Sequence, residues 1–236
     1  MISVLKKLFI GKVTNEESLS YNPIQKRLLN IKSIWNNDHQ DDSGIEKIVR
    51  LGLSTSQLFF PGIYIKYFAA KIGREYQDFF MDIYILLKVI YPIVILKFGL
   101  QDNVLLIYIM TYVLVETLIY IPTLIFASDL FSRPKSYKRS MLLLFFNYIE
   151  IVVAFGVLYT IGENMNKPFN HWFDPIYFSV ISSNSIGFGD YYPVTLYGKV
   201  LASIQGLFFL TFVILFLNFF STKIKSKGYF DNEEEE

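Results

Sequence analysis

Four stretches of the chain stay apolar for about as long as a helix needs to cross a bilayer, roughly 20 residues: Phe79 to Leu96, Val104 to Ala127, Met141 to Gly162 and Val200 to Phe220. The pattern predicts an all-α membrane protein with four spans. A fifth apolar stretch, Leu53 to Ala70, is interrupted by Ser54, Ser56, Pro61, Gly62 and Lys66 and is expected to lie in the membrane interface. Between spans three and four, Asp174-Pro175 opens an apolar run, Ile176 to Ser183, of only about two helical turns. That run is too short to cross. Ahead of the spans, Asn22-Pro23 precedes an amphipathic stretch ending at Trp35, and Ser43 followed by Glu46 has the spacing of a capping box. Short helices joined by a loop at Asn36 to Asp42 are expected there. The chain thus divides into an N-terminal region (1–75), two spans with a basic linker (76–140), two spans around the short helix (141–222) and a short acidic tail (223–236).

Composition agrees: 53% of the 236 residues are hydrophobic and 18% aromatic, so much of the surface is solvated by lipid. The net charge of +1 gives no reason to expect nucleic acid. Charge position is more informative, because Lys and Arg concentrate in cytoplasmic loops. Arg133, Lys135, Lys138 and Arg139 lie between spans two and three, and Lys223, Lys225 and Lys227 follow span four. Both places are assigned to the cytoplasm, and Lys66, Lys71 and Arg74 put the N-terminus there too. Lys167 is the only Lys or Arg between Glu163 and Pro193, which places that connection outside. Lysines within Met1 to Gly11 argue against a secretory signal. There is no cysteine, so disulfides and thiolate chemistry are excluded. No metal-ligand pair, nucleophile motif or phosphate-binding loop points to an enzyme.

Three ionisable residues fall at mid-membrane depth in the spans. At about 1.5 Å per residue, Lys88 and Glu150 lie roughly 13 Å, and Glu116 roughly 16 Å, from the cytoplasmic ends of their helices. Charges at such depth are costly unless paired, so Lys88 is expected to bond Glu116 or Glu150 and fasten the first two spans to the last two. No span carries basic residues at every third position, so a voltage-sensing helix is not expected.

The short helix leads directly into Gly187-Phe188-Gly189. Irregular backbone at membrane depth is tolerated where protein buries it or water fills a cavity beside it, so such a loop is expected to line a pore. Ser185-Ile186-Gly187-Phe188-Gly189-Asp190 resembles the filter of the potassium-channel pore family, commonly Thr-Val-Gly-Tyr-Gly-Asp. The likeness continues through Tyr191, Tyr192, Pro193, Val194, Thr195, Leu196, Tyr197, Gly198 and Lys199 and covers roughly Met141 to Phe220. It implies a homotetramer in the cell membrane, its lipid bilayer the surrounding partner, passing K+ through stacked rings of backbone carbonyls that replace the hydration shell. Both termini would be cytoplasmic, and the N-terminal region is a candidate contact for a regulator.

By this resemblance the carbonyls of Ser185, Ile186, Gly187 and Phe188, with the Ser185 hydroxyl, hold K+. Gly187 and Gly189 permit the backbone angles this requires. Tyr177 and Phe178 would pack behind Phe188 as a collar, with Asp190 at the outer mouth. Asn184 and Ser185 stand where the family usually has two threonines, so the innermost site keeps a hydroxyl and gains an amide that needs partners. Ile181 replaces a carboxylate found in some relatives. Gly206 is one turn before the usual bend of the inner helix, at the place of Phe209. Phe208, Phe212 and Phe216 recur at i, i+4 and i+8, so that face is a candidate gate, with lipid-facing or interhelical packing as the competing and favoured expectation. The competing readings are a weakly selective monovalent cation channel and the membrane subunit of a potassium transporter.

Overall fold

The computed structural model describes residues 22–38, 42–73, 76–127 and 137–224, with side chains described to residue 218. Arg74, Arg133, Lys135, Lys225, Lys227, the first 21 residues and the tail Glu233 to Glu236 lie outside the described residues. The described residues are all-α, and four helices are long and apolar enough to cross a membrane.

The N-terminal region contributes α1 (Pro23–Asn36), α2 (Gly44–Ser56), a short 3-10 turn (Gln57–Phe59) and α3 (Pro61–Ile72). The Asn22 side chain accepts from the amides of Ile24 and Gln25, and Pro23 opens α1 without wasting a donor. Ser43 takes the N-cap position of α2 as its spacing predicts, but its hydroxyl makes no capping bond. The chain instead enters α2 through Gly44 at φ +59. The Leu53 to Ala70 stretch is not one interfacial helix. It breaks at Phe60-Pro61, and α2 and α3 pack against the first two spans.

Those spans are α4 (Gln77–Lys97) and α5 (Val104–Phe126). A tight turn joins them. The Leu100 amide donates to Ile95 O and the Gly99 amide to Leu96 O, with Gly99 at φ +63, which closes the last carbonyls of α4 in a Schellman motif. Asn103 then caps α5 by accepting from Leu105 and Leu106. Span three is α6 (Tyr137–Thr160), followed by the short α7 (Asp174–Ser183) and by α8 (Leu196–Ile224). The main core is where α6 meets its neighbours: Val152 to Tyr159 is buried without interruption, among Ile95, Met110, Leu114, Phe178 and Phe212. A helix buried on all sides reads as apolar all round, and α6 is the innermost span of the chain. At one end, Arg139 of α6 forms ion pairs with Asp78 at 3.4 Å and Asp82 at 2.5 Å, both on α4.

Mid-membrane, the structure brings Lys88 to Glu150, Nζ to Oε2 at 3.1 Å, with both side chains buried. Thr117 of α5 sits between them, accepting from Lys88 and donating to Glu150 Oε2 at 2.9 Å. Glu116 goes elsewhere. Its carboxylate accepts from the Gly62 amide at 2.9 Å and from the Tyr84 hydroxyl. Neighbouring positions on a helix point about 100° apart, so Thr117 faces the ion pair while Glu116 faces α3.

Candidate functional site

Helix α7 is anchored at its start by Asp174, whose Oδ2 accepts from the amides of Asn170 at 2.9 Å and His171 at 3.0 Å and from the Tyr191 hydroxyl at 3.1 Å. Desolvation pushes the Asp174 carboxyl up, but these donors outweigh it and hold it below its ordinary range. The same environment, desolvation first and then the Asp174 carboxylate, raises the Tyr191 hydroxyl. Pro175 follows at the first turn, where its missing N–H costs nothing.

The back of α7 is held by a polar network sealed inside the bundle. Gln205 of α8 donates from Nε2 to Ser179 O at 3.0 Å and to Ser179 Oγ at 2.7 Å, and its Oε1 accepts from the Tyr159 hydroxyl at 2.8 Å. Ser179 Oγ in turn donates to Val152 O on α6. Three helices are thereby tied through two fully buried side chains, Ser179 and Gln205. Buried groups this well satisfied fix one arrangement, because any shift leaves several of them unpaired. Gly156 lets α6 approach: a Cβ there would stand 3.1 Å from Pro175 O.

At its other end α7 stops in a Schellman motif. The Ile186 amide donates to Ile181 O at 2.9 Å and the Ser185 amide to Ser182 O at 3.2 Å, with Ser185 at φ +57. Glycine usually occupies this left-handed position. Positive φ then recurs at Gly187 (+56) and Gly189 (+80), while Ile186 and Phe188 between them keep negative φ. The sign of φ thus alternates along the segment from Ser185 to Gly189. Residues 184–189 are all exposed, Phe188 by 69%.

Asn184, beside this segment, has a partner: its Oδ1 accepts from the Tyr148 hydroxyl of α6 at 3.0 Å. The segment's far end is clamped by Asn166. The Asn166 Nδ2 donates to Asp190 O at 3.2 Å, its Oδ1 accepts from the Tyr192 amide at 2.9 Å, and its own amide donates to Tyr192 O at 3.0 Å. Asn164 O accepts from the Val194 amide at 2.9 Å, and the Asn164 side chain accepts from Thr195, whose hydroxyl caps α8 through the Gly198 amide at 3.1 Å.

The structure separates the two members of the expected collar. Tyr177 faces the Asp190 carboxylate, with which its hydroxyl interacts. Phe178 is buried against Tyr159 of α6, ring centroids 4.7 Å apart, because consecutive helix positions cannot face the same way. The phenylalanine stripe packs within the chain. Phe212 is buried, edge-on to Tyr148 at 5.2 Å, Phe209 lies 6.1 Å from the same ring, and Phe216 packs on the core. Phe209 and Phe212 hold α8 to α6, and Phe208, on the same stripe as Phe212, is half-buried. Helix α8 runs unbroken past Gly206, where a Cβ would meet nothing within 4 Å. The leucine and isoleucine side chains at 204, 207, 210, 214 and 217 form the exposed stripe of α8 instead.

Sequence reasoning missed Tyr148, Tyr159, Asn164, Asn166, Ser179 and Gln205. Gln205 was findable, since an amide in an apolar span demands partners as a charge does.

Residues 144–226 match the family model described as an ion channel, a stretch that begins within α6 and runs through α7 and α8. No curated protein and no solved structure matches the chain. Over this third the chain is similar to ion channels, and it carries four helices long and apolar enough to cross a membrane.

Proposed function

We propose that the chain is one subunit of a potassium-selective channel, four copies of which close a ring around residues 185–190. The carbonyls of Ser185, Ile186, Gly187 and Phe188 and the Ser185 hydroxyl would replace the hydration shell of K+ as it passes down its gradient. The observation that carries this reading is the alternation of backbone sign at Ser185, Gly187 and Gly189, in an exposed segment fixed at both ends by buried or backbone-paired groups. A ligand set of carbonyl dipoles suits a monovalent cation that must bind and leave quickly. Charge placement orients the chain with both termini in the cytoplasm.

Flux from liposomes reconstituted with the pure chain tests the proposal, with Gly187→Ala as the comparison. Alanine costs about 1–2 kcal/mol in the left-handed region, and its Cβ would meet nothing within 4 Å, so the effect is conformational and local. The wild type is expected to pass K+ well ahead of Na+, and the variant to lose that flux while keeping its helix content. Equal leak from both proteins would overturn the assignment of the pore.

A further inference from the structure

We propose that Gly44–Ile72 is a re-entrant hairpin, sunk among lipid acyl chains to mid-membrane and latched there by Glu116, and not a segment lying on the bilayer surface. The proposal needs only that α4 and α5 span the membrane; it does not depend on which ion the channel passes.

The hairpin's contacts climb the spans in order. At its base, Arg50 Nη1 donates to Phe126 O at 3.4 Å, at the last residue of α5, and Gln77 Nε2 of α4 reaches Lys66 O at 3.5 Å. Both span ends lie on the same membrane face. At its tip, the Tyr112 hydroxyl donates to Phe59 O, and Gly62 donates to Glu116 at 2.9 Å. Tyr112 is 14 residues from Phe126 and Glu116 is ten, hence about 21 and 15 Å along the helix at 1.5 Å per residue. The hydrocarbon core is about 30 Å thick. The turn therefore sits near the middle of the membrane.

Backbone that bends at this depth must have its polar groups satisfied by protein, and side chains take three of the turn's backbone groups. Leu58 O accepts from the Tyr64 hydroxyl at 2.8 Å, Phe59 O from Tyr112, and the Gly62 amide is taken by Glu116. A Cβ at residue 62 would lie 2.5 Å from Glu116 Oε1, so any larger side chain there would displace the carboxylate that takes this amide. A turn resting in water would need none of these side chains.

The outer face of the hairpin is apolar: Phe59 is 70% exposed and Phe68 61%, alongside Tyr64 and Ile72. The spans against which it packs expose Leu86, Leu87 and Ile90 on α4 and Tyr108, Ile109 and Val115 on α5. An apolar face on elements packed against two spans, whose own exposed sides are apolar, is covered by the same solvent, the acyl chains.

Because the chain has no cysteine, one introduced thiol reports one position. Phe59→Cys, Phe68→Cys and Trp35→Cys would be made in the full chain, reconstituted in phosphatidylcholine liposomes and labelled with an environment-sensitive fluorophore. Quenching is read with nitroxide lipids spin-labelled at the headgroup, the shallow acyl carbons or the mid-chain. Position 59 is expected to be quenched most by the mid-chain label, 68 by a shallower one, and 35 by the headgroup label or by aqueous iodide. Glu116→Leu should move the position-59 maximum toward the headgroup with helix content unchanged by circular dichroism. Headgroup or iodide quenching at 59 equal to that at 35 overturns the embedding. Disulfide capture of two chains through position 59 without acyl quenching also overturns it, because a second copy would then cover the face. An unmoved maximum in Glu116→Leu overturns the latch.

Discussion

Asn184 is where the candidate filter departs most from the family it resembles, and its amide is held by one hydroxyl. Tyr148 reaches it at 3.0 Å and lies 3.1 Å from Ser183 Oγ, while its ring packs edge-on against Phe212. Tyr148→Phe therefore removes the donor and leaves the packing. The net stability cost should be modest, about 0.5–1.5 kcal/mol, but the freed Asn184 carbonyl oxygen sits beside the innermost proposed ion site. The expected result is a lower K+/Na+ permeability ratio, read from bi-ionic reversal potentials, and Asn184→Thr should make the channel insensitive to the same Tyr148 change. An unaltered ratio in Tyr148→Phe would remove Asn184 from the account of selectivity. At this scale the legible residues were those whose backbone freedom is unique. Gly187 and Gly189 announced their positive φ. Ser185 did not, because the Schellman end of α7 imposes its φ and nothing in a serine signals it.

Between elements, the bond that matters most is the one from Lys88 on α4 to Glu150 on α6, bridged by Thr117 on α5. Glu150 is 2% exposed, so deleting one partner strands a charge in a medium that cannot solvate it. Such deletions cost about 3–5 kcal/mol, whereas replacing both partners with apolar groups is often neutral. Lys88→Met and Glu150→Leu should each lower the unfolding midpoint in mixed micelles substantially, and the double variant should recover most of the loss. Additive losses in the double variant would mean that each side chain acts through packing alone. The pairing was half legible. Helical rise placed three charges at similar depth, but the choice between carboxylates depends on azimuth, and Glu116 is turned toward Gly62 and Tyr84. The phenylalanine stripe of α8 shows the same limit in reverse. Its spacing defines a face without saying which neighbour it meets, and Tyr148 and the core of the same subunit claim it.

For the molecule as a whole, what one chain leaves uncovered defines what it lacks. The spans were legible because roughly 20 apolar residues admit few other fates, and their observed limits differ from the expected ones by a few residues at each end. The surface left by their packing was not legible. On α8 the exposed stripe at 204, 207, 210, 214 and 217 has the three- and four-residue spacing of a helix seam, and the segment 184–189 is exposed as well. A single such segment cannot enclose an ion, and a closed ring of identical copies leaves no edge of it bare. The resemblance sets the number at four. Native mass spectrometry of the protein released from a mild detergent should then show four copies of the 27.6 kDa chain. Leu207→Glu and Ile214→Glu put carboxylates on the seam and should shift that population toward monomer, with loss of flux in proportion. Helix content should stay unchanged, since neither side chain belongs to the core of its own subunit. A wild-type monomer that still conducts after reconstitution at one chain per vesicle would refute the ring, because one copy supplies only one wall of the proposed carbonyl cage.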